Sequence, residues 1–174
     1  MKYFVKFFVV TFFLLFSTDV IAEQKIVVLD LKYVLNNSKA GKNAQDFLKK
    51  SYNNNLKKYA DMEKALKKEE QDLLTKKTVL SKEEYTKKTD ALRKKVIDFQ
   101  SQRRSAIDKI ATQRSNSRET LIQALEPILD AYIKEKNIAL ILDKKSALGG
   151  VPENDITTII TEKLNKTLPS LNLK

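Results

Sequence analysis

The chain of 174 residues contains no cysteine, no histidine and no tryptophan. Without cysteine it can form no disulfide and has no thiol nucleophile, and without histidine it lacks the commonest general acid–base group. It also has no glycine-rich phosphate-binding loop, since Gly149 and Gly150 lack the necessary spacing and are typical of a turn. We therefore predict a non-enzymatic protein with no catalytic residues, no metal site and no cofactor.

Glycine and proline are also scarce, with three residues of each, and the stretch from Lys42 to Glu126 contains neither. So long a stretch without helix breakers predicts α-helix. It carries 21 Lys and Arg against 13 Asp and Glu, which places most of the chain's net charge of +11 on the helical region. A positive charge of this size predicts anionic partners, such as acidic proteins, an anionic membrane surface or nucleic acid.

A turn signal divides this region into two helices. Ser81 and Glu84 have the spacing of a capping box, in which each side chain accepts a hydrogen bond from the backbone N–H of the other residue. We therefore predict an arm over residues 42–120, made of two antiparallel, coiled-coil helices joined at a tip near residues 75–81. The predicted seam is thin, because polar residues such as Glu69 interrupt its heptads. Its residues are Leu48, Tyr52, Tyr59, Met62, Leu66 and Leu73 on the outgoing helix and Tyr85, Leu92, Val96, Phe99, Ala106 and Ile110 on the return.

Short apolar runs lie on either side of the arm. Lys25–Leu31 (KIVVLDL) and Asn137–Asp143 (NIALILD) are rich in β-branched and aliphatic residues and predict two buried strands. Residues 23–41 and 121–174 are therefore assigned to a small head, and the fold class is α+β, mostly α. Two strands do not form an independently stable sheet, so we expect the head to oligomerise.

Two helical segments are predicted in the C-terminal part of the head. The apolar face of the first consists of Leu121, Leu125, Ile128, Leu129 and Tyr132. Pro127 lies within this pattern and is expected to kink the helix. The second helix is expected to begin at an Asp155 cap, and its apolar face consists of Ile156, Ile159, Ile160 and Leu164.

Two aspartates, Asp30 and Asp143, lie near the ends of the predicted strands. Paired carboxylates could in principle hold a metal ion or act as an acid and a base. Because no further ligand is near them in the sequence, they are more typical of turn caps.

The first 22 residues have the layout of a secretory signal peptide. Two lysines precede the apolar run Phe7–Phe16, and a short segment ending in Val20, Ile21 and Ala22 provides a small-residue cleavage site. The apolar run is shorter than the ~20 residues that span a bilayer, which disfavours a membrane anchor. We predict cleavage after Ala22, export and, since cysteine is absent, a periplasmic location for a soluble mature chain.

The chain resembles the Skp/OmpH family of periplasmic chaperones in the order of its segments. These are the signal peptide, KIVVLDL, the basic helical hairpin, NIALILD and the sequence NDIT at Asn154–Thr157. The sequence RSN at Arg114–Asn116 is a further matching piece. The resemblance implies a homotrimer, with a small β-barrel head built from strands of all three chains and three arms that enclose a cavity. It also implies an ATP-independent holdase that binds unfolded outer-membrane proteins and prevents their aggregation. Pro127 and the tip lysines, Lys76 and Lys77, depart from the family pattern.

For such a holdase, the predicted client contacts are the apolar residues that lie off the seam or at its end. They are Leu56, Leu73, Leu74, Val79, Leu80 and Ile107. Each of them could instead widen the apolar stripe of the hairpin. The positive charge of the arms is expected to steer acidic outer-membrane proteins into the cavity.

Four arginines lie in the half of the return helix nearer the head: Arg103, Arg104, Arg114 and Arg118. Guanidinium groups suit phosphate geometry, and the resemblance implies a lipopolysaccharide-binding patch here, carried over at Arg103 and Arg114. Arg103 also occupies a seam position, where it could instead pair with Glu63 or Glu70.

Two other classes stay open on the sequence. Non-specific nucleic-acid binding fits the sequence pI of about 9.6, although export separates the chain from the nucleoid and acids alternate with the lysines. A passive coiled-coil adaptor of the envelope is expected to have a denser seam than this one. We therefore predict the holdase, with no specific nucleic-acid ligand.

Overall fold

The computed structural model describes residues 25–173, so the predicted signal peptide and its cleavage after Ala22 lie outside the described residues. In chain order the elements are β1 (Lys25–Leu29), α1 (Leu31–Asn37), α2 (Lys39–Thr75), α3 (Lys82–Lys136), β2 (Ile138–Asp143) and α4 (Thr157–Thr167). Short 3-10 turns lie at Lys144–Ser146 and Pro152–Asn154. The long helices α2 and α3 form the arm, and the remaining elements form the head together with the end of α3.

Both predicted strands are present, and they pair with each other in parallel. The prediction that both are buried is wrong for β2, in which Ile138 is the only buried residue. β1 ends at Leu29, two residues before the predicted limit, because the Asp30 carboxylate accepts a hydrogen bond from the Tyr33 N–H at 2.7 Å and begins α1. A third segment joins by a single bridge, in which the Ile156 N–H donates to the Val28 carbonyl at 3.0 Å. The connection between the two parallel strands contains the entire arm.

The core of the head receives side chains from every element around the sheet. Its buried residues are Val27, Leu29, Val34, Leu35, Ala40, Leu121, Leu125, Ile128, Tyr132, Ile138, Ile156, Ile160 and Leu164. The predicted apolar face near the end of α3 is thereby confirmed, and Leu129 packs against this core from a half-buried position. α3 is unbroken from Lys82 to Lys136 and includes the exposed Pro127, so the proline does not end the helix that enters the head.

The last helix differs from the prediction in two respects. Its N-cap residue is Ile156 and not Asp155, although the Asp155 carboxylate still accepts a hydrogen bond from the Thr157 N–H at 3.0 Å. The prediction that Ile159 is buried is wrong, since 43% of this residue is exposed whereas Ile160 is fully buried. The buried row recurs every four residues from Ile156, and at 3.6 residues per turn Ile159 lies roughly 100° around the helix from the centre of that row.

The two arm helices run antiparallel, as their cross-helix contacts demonstrate. The Tyr59 hydroxyl donates to the Gln102 carbonyl at 3.0 Å, and the Tyr59 ring meets Phe99 edge to face with centroids 6.1 Å apart. Nearer the tip, the Lys95 ammonium donates to both carboxylate oxygens of Glu69, at 2.6 and 2.8 Å. The opposite helix thus supplies a cation where Glu69 interrupts the seam.

The tip is the turn between Thr75 and Lys82. The Glu84 N–H donates to the Ser81 hydroxyl at 3.2 Å, and the Ser81 N–H donates to the Glu84 carboxylate at 3.2 Å. The predicted capping box is therefore confirmed, and it fixes the residue at which the chain turns back.

Most of the predicted seam residues pack between the arm helices. Leu48, Tyr59, Leu73, Leu92 and Phe99 are buried, and Met62, Leu66, Tyr85, Val96, Ala106 and Ile110 are half-buried. The prediction for Tyr52 is wrong, since 54% of this residue is exposed. The half-buried Ser51 takes the place of Tyr52 in the seam, which continues through the half-buried Asn55. This happens because a straight helix drifts by ~20° per heptad relative to a strict seven-residue repeat.

Gly41, which directly precedes the predicted breaker-free region, lies within the first turn of α2. The N-cap is Ser38, whose hydroxyl accepts a hydrogen bond from the Gly41 N–H at 3.2 Å. α1 packs directly against this turn, and a Cβ atom at position 41 would lie 1.9 Å from the Leu35 carbonyl oxygen. The close approach of α1 and α2 therefore requires glycine at the base of the arm.

No helix within residues 25–173 combines the length and the apolar character needed to cross a lipid bilayer.

Candidate functional site

The aspartates at the strand ends act as turn caps, as predicted. The Asp30 carboxylate accepts from the Tyr33 N–H, and the Asp143 carboxylate accepts from the Lys145 N–H at 3.2 Å and pairs with the Lys145 ammonium at 3.2 Å. In the part of the chain that the structure describes, no three acidic residues come together in a group that could hold a metal ion. The two carboxylates therefore stabilise the connections that follow the strands.

Asp155 belongs to a hydrogen-bond network that fastens three segments of the head. Burial raises the pKa of its carboxyl, but hydrogen bonds from the Lys144 ammonium, at 2.7 Å, and from Thr157 outweigh this effect and lower the pKa to about 2. The Thr157 hydroxyl in turn accepts from the Asp30 N–H at 2.9 Å. The loop after β2 and the start of α4 are thus tied to the end of β1.

This network predicts a loss of stability in acid. Because the pKa of Asp155 is lower in the folded chain than the ~3.9 of an unfolded one, its contribution is complete above about pH 4 and is lost as the pH falls towards 2. We expect this contribution to the free energy of unfolding to be about 1–2 kcal/mol, since the side chain is partly exposed. Urea unfolding of the wild type and of Asp155→Asn between about pH 6 and pH 2 measures it.

The matched control for that experiment is Asp98→Asn, which removes an exposed carboxylate that forms no ion pair within residues 25–173. The wild type and the control should lose more stability than Asp155→Asn over the acid range. Parallel stability curves for all three proteins would contradict the role assigned to the network.

The predicted apolar contact residues occupy different environments on the arm. Leu56, Leu74, Val79 and Ile107 are exposed, and Val79 at the tip is the most exposed of them at 83%. Leu80 is half-buried, and Leu73 is buried in the seam, so the Leu73 side chain serves the hairpin. Sequence reasoning missed Ile97, which is 65% exposed. Its only signal in the sequence is its position beside the seam residue Val96.

A groove of about 590 Å³ lies between α2 and α3 in the outer half of the arm, and we call it the distal groove. Its lining is mainly apolar and consists of Leu66, Leu73, Leu74, Tyr85, Leu92, Val96, Ile97 and Phe99, with Glu63, Lys67, Glu70, Thr89, Arg93 and Gln100. It brings the exposed Leu74 and Ile97 together, whereas Leu56, Val79 and Ile107 lie elsewhere on the arm. The apolar contacts are therefore scattered and do not form a single pocket.

A second groove, of about 850 Å³, lies where the arm leaves the head, and we call it the proximal groove. α2 and α3 form its sides, and residues of α1 and from the end of β2 complete its lining. Its larger apolar residues are Leu31, Leu35, Leu48, Tyr52, Ile110 and Leu121. Its charged residues are Lys32, Lys49, Arg114, Arg118 and Lys145, against Asp46 and Asp143. The three lysines are far apart in the sequence, which is why sequence reasoning did not connect them with the arginines.

The four arginines predicted as one patch do not share a site. Arg114 and Arg118 line the proximal groove, but Arg103 and Arg104 do not. Arg103 lies eleven residues from Arg114, roughly 16 Å along the helix. Arg103 forms no ion pair with Glu63 or Glu70 within residues 25–173, because Glu63 pairs with Lys67 at 2.8 Å. The pKa of Glu63 is lowered first by the hydrogen bond from Lys67 and only to a small extent by the charge of Arg103.

The outer face of the head sheet is apolar and uncovered. Ile26 pairs with Leu140 and Val28 with Leu142 in the strand register. Within residues 25–173 no element shields this face, so that Ile26 is 51% and Leu140 is 49% exposed. Leu148, in the loop after β2, is fully exposed as well. A contiguous apolar surface of this kind is typical of a protein–protein contact.

The chain is similar to known proteins over nearly all of its described length. The family model described as Outer membrane protein (OmpH-like) matches residues 25–164. Among solved structures, an OmpH-like protein of Caulobacter crescentus CB15, described as a candidate outer membrane chaperone, has a TM-score of 0.80 to this chain. The two share 17% sequence identity, and the match covers 88% of this chain and 90% of the other. No curated protein sequence matches this chain.

Proposed function

The chain belongs to the OmpH-like family, a family of periplasmic chaperones, and from this premise we propose that it is an ATP-independent holdase for unfolded outer-membrane proteins. The observation that carries the proposal is the set of large apolar side chains exposed along a charged arm, namely Leu56, Leu74, Val79, Ile97 and Ile107. More than half of each of these residues is exposed, so their side chains remain available to another chain.

The scattered arrangement of these side chains suits a client with no fixed structure. Fully burying one aliphatic side chain stabilises a contact by ~1.5–3 kcal/mol, so each single contact between arm and client is weak and short-lived. Several such contacts on one arm bind together, because the first raises the effective concentration of the client for the others. Binding of this kind holds an unfolded chain and releases it without hydrolysis of ATP.

We also propose that the protein acts as a homotrimer, with a β-barrel head and three arms around a cavity. The uncovered apolar face around Ile26 and Leu140 supports association through the head. The outer edge of β2 is open, and the outer edge of β1 is met only by the single bridge at Val28, so strands from further copies could extend the sheet. In this arrangement the seam holds each arm together, and the head holds the arms side by side.

The charge of the arms is proposed to act on the client before contact. Their net positive charge attracts acidic outer-membrane proteins, and at physiological salt this attraction extends only ~8 Å from the surface. Charge therefore raises the rate of capture, while the apolar contacts hold the client. Lipopolysaccharide binding by the four arginines stays a prediction, and the separation of Arg103 from Arg114 gives it no geometric support as one patch.

The proposed place of action is the periplasm, reached after removal of residues 1–22. In the test, a urea-unfolded outer-membrane β-barrel protein is diluted into buffer with and without the mature chain, and light scattering is followed. We expect suppressed scattering without ATP, persisting at about 0.15 M salt because apolar contacts are not screened. Suppression that disappears entirely with salt would indicate a polycation effect, and no suppression at any ratio would favour the envelope adaptor.

A variant with Leu56, Leu74, Val79 and Ile107 all replaced by serine tests the apolar contacts. We expect the concentration of the variant that halves the light scattering to be at least tenfold higher than that of the wild type. A loss of about 1.4 kcal/mol of binding free energy already gives that factor. The matched control replaces the exposed Ala60, Ala65, Ala91 and Ala111 by serine on the same two helices. The control should suppress scattering like the wild type, and equal loss in both variants would contradict the assignment.

A further inference from the structure

We propose that the proximal groove binds extended segments of the client in which acidic and apolar residues are interspersed. This proposal rests on the proposed holdase function and adds to it a defined site and the chemistry of the segment recognised there. Three properties of the groove support it: cations without ion pairs in the described residues, apolar residues placed among those cations, and a length that fits a short peptide.

The cations of the groove are largely uncompensated. Within residues 25–173, Lys32, Lys49, Arg114 and Arg118 form no ion pair, and the fifth cation, Lys145, is paired with Asp143. The only other acid in the lining is Asp46. Four free cations against one free carboxylate make the groove an attractive site for anionic groups, and the two guanidinium groups can each hold a carboxylate through two hydrogen bonds.

Apolar residues lie on both sides of these cations along each helix. On α3 the order is Ile110, Arg114, Arg118 and Leu121, and on α2 Leu48 and Tyr52 lie on either side of Lys49. A lipid carries its charge and its acyl chains at opposite ends, so it would need separate polar and apolar regions. A polypeptide with mixed acidic and apolar side chains matches the observed mixture, and this favours a peptide ligand.

The length of the groove fits a short extended segment. It runs from Gly41 to Tyr52 on α2 and from Leu121 back to Ile110 on α3, which is roughly 16 Å at 1.5 Å per residue. About five residues of extended chain span this distance at ~3.3 Å each. Arg114 and Arg118 lie one helical turn apart, about 6 Å along the axis, which is close to the spacing of every second side chain in a strand.

Peptide binding tests the proposal separately from aggregation suppression. A fluorescently labelled peptide of about ten residues, alternating apolar and acidic residues, is titrated with the mature chain, and its anisotropy is recorded. The comparison peptide has lysine at every acidic position. We expect binding of the acidic peptide only, weakened but not abolished as salt is raised to about 0.15 M. Equal binding of both peptides, or binding of neither, would overturn the proposal even if the protein still suppresses client aggregation.

Charge reversal locates the binding site. Arg114→Glu with Arg118→Glu is expected to weaken binding of the acidic peptide by about tenfold or more, because attraction becomes repulsion at the groove. Lys64→Glu with Lys68→Glu is the matched control, since these two exposed lysines have the same spacing on a helix and line neither groove. Arg114→Gln with Arg118→Gln provides a milder variant, and circular dichroism verifies that all of them are folded. Equal weakening by the control would show that only net charge matters and would overturn the site.

Photocrosslinking gives a second readout. A benzoylphenylalanine at position 52, inside the groove, should crosslink to the peptide, whereas one at position 33, outside it, should not; Tyr52 and Tyr33 are 54% and 48% exposed. Crosslinking at position 33 alone would place the peptide elsewhere.

If the arginine reversal instead weakens only binding to vesicles of phosphatidylglycerol or lipopolysaccharide, the groove is a lipid site. If it changes only the oligomeric state, the groove is a contact between copies, and either result overturns the peptide proposal.

Discussion

Replacement of Ile160 by alanine is expected to lower the free energy of unfolding by about 2–5 kcal/mol, the largest effect that we predict for a single side chain. Ile160 is fully buried in the core of the head. The substitution removes three carbon atoms from contact with neighbours that already pack closely, and the surrounding residues can only partly refill the cavity. Urea unfolding followed by circular dichroism, at one fixed protein concentration, measures the loss.

Its control is the adjacent substitution Ile159→Ala. Ile159 lies on the same helix and loses the same atoms, but 43% of it is exposed, so we expect a loss below about 1 kcal/mol. Because the two variants have equal composition and equal helix propensity, their difference isolates burial. Equal losses would contradict the rotation of α4 described above and would restore the sequence-based prediction that both isoleucines face the core.

Replacement of Gly41 by alanine is expected to destabilise the protein by about 1–3 kcal/mol, although the same change within a helix ordinarily stabilises by ~1 kcal/mol. The new Cβ atom would lie 1.9 Å from the Leu35 carbonyl oxygen and 3.0 Å from the Ser38 hydroxyl. Leu35 belongs to α1 and Ser38 is the N-cap of α2, so the Leu35 carbonyl can move away only if α1 shifts relative to α2. The same unfolding measurement applies, and a stability equal to or above that of the wild type would contradict the close packing.

Gly149→Ala is the control, because a Cβ atom there meets nothing within 4 Å. We expect this change to be neutral or stabilising by up to ~1 kcal/mol, through the lower entropy of the unfolded chain. Gly41 also lines the proximal groove, so a shift of α1 in Gly41→Ala is expected to weaken binding of the acidic peptide. Gly149→Ala should leave peptide binding unchanged.

The sequence predicts the arm well because local rules determine it. The capping box of Ser81 and Glu84 fixes the turn, and the heptads fix which residues face each other near the tip. Tyr52 is wrongly placed because a heptad rule does not follow the drift of a straight helix over several turns. The prediction for Ile159 is wrong because the adjacent Ile159 and Ile160 are compatible with two rotations of a short helix about its axis. Packing against the rest of the head determines which rotation is adopted.

The grooves could be predicted only in part. Arg114 and Arg118 are visible in the sequence as a pair on one helix face, but Lys32, Lys49 and Lys145 join them through tertiary contacts between α1, α2 and the end of β2. Ile97 lies beside the seam residue Val96 but has no heptad periodicity of its own, so only its exposure identifies it as a contact residue. The apolar face of Ile26 and Leu140 follows from strand alternation once the parallel register is known.

Isolation of a complex between the mature chain and an unfolded outer-membrane protein tests the central proposal most directly. The two are mixed by dilution from urea without ATP, and size-exclusion chromatography with light scattering gives the mass of each species. We predict a soluble complex of one client with three copies of this chain, stable at physiological salt and absent when the client is folded beforehand. Separate elution of this chain while the client aggregates, or equal binding of the folded client, would contradict the holdase.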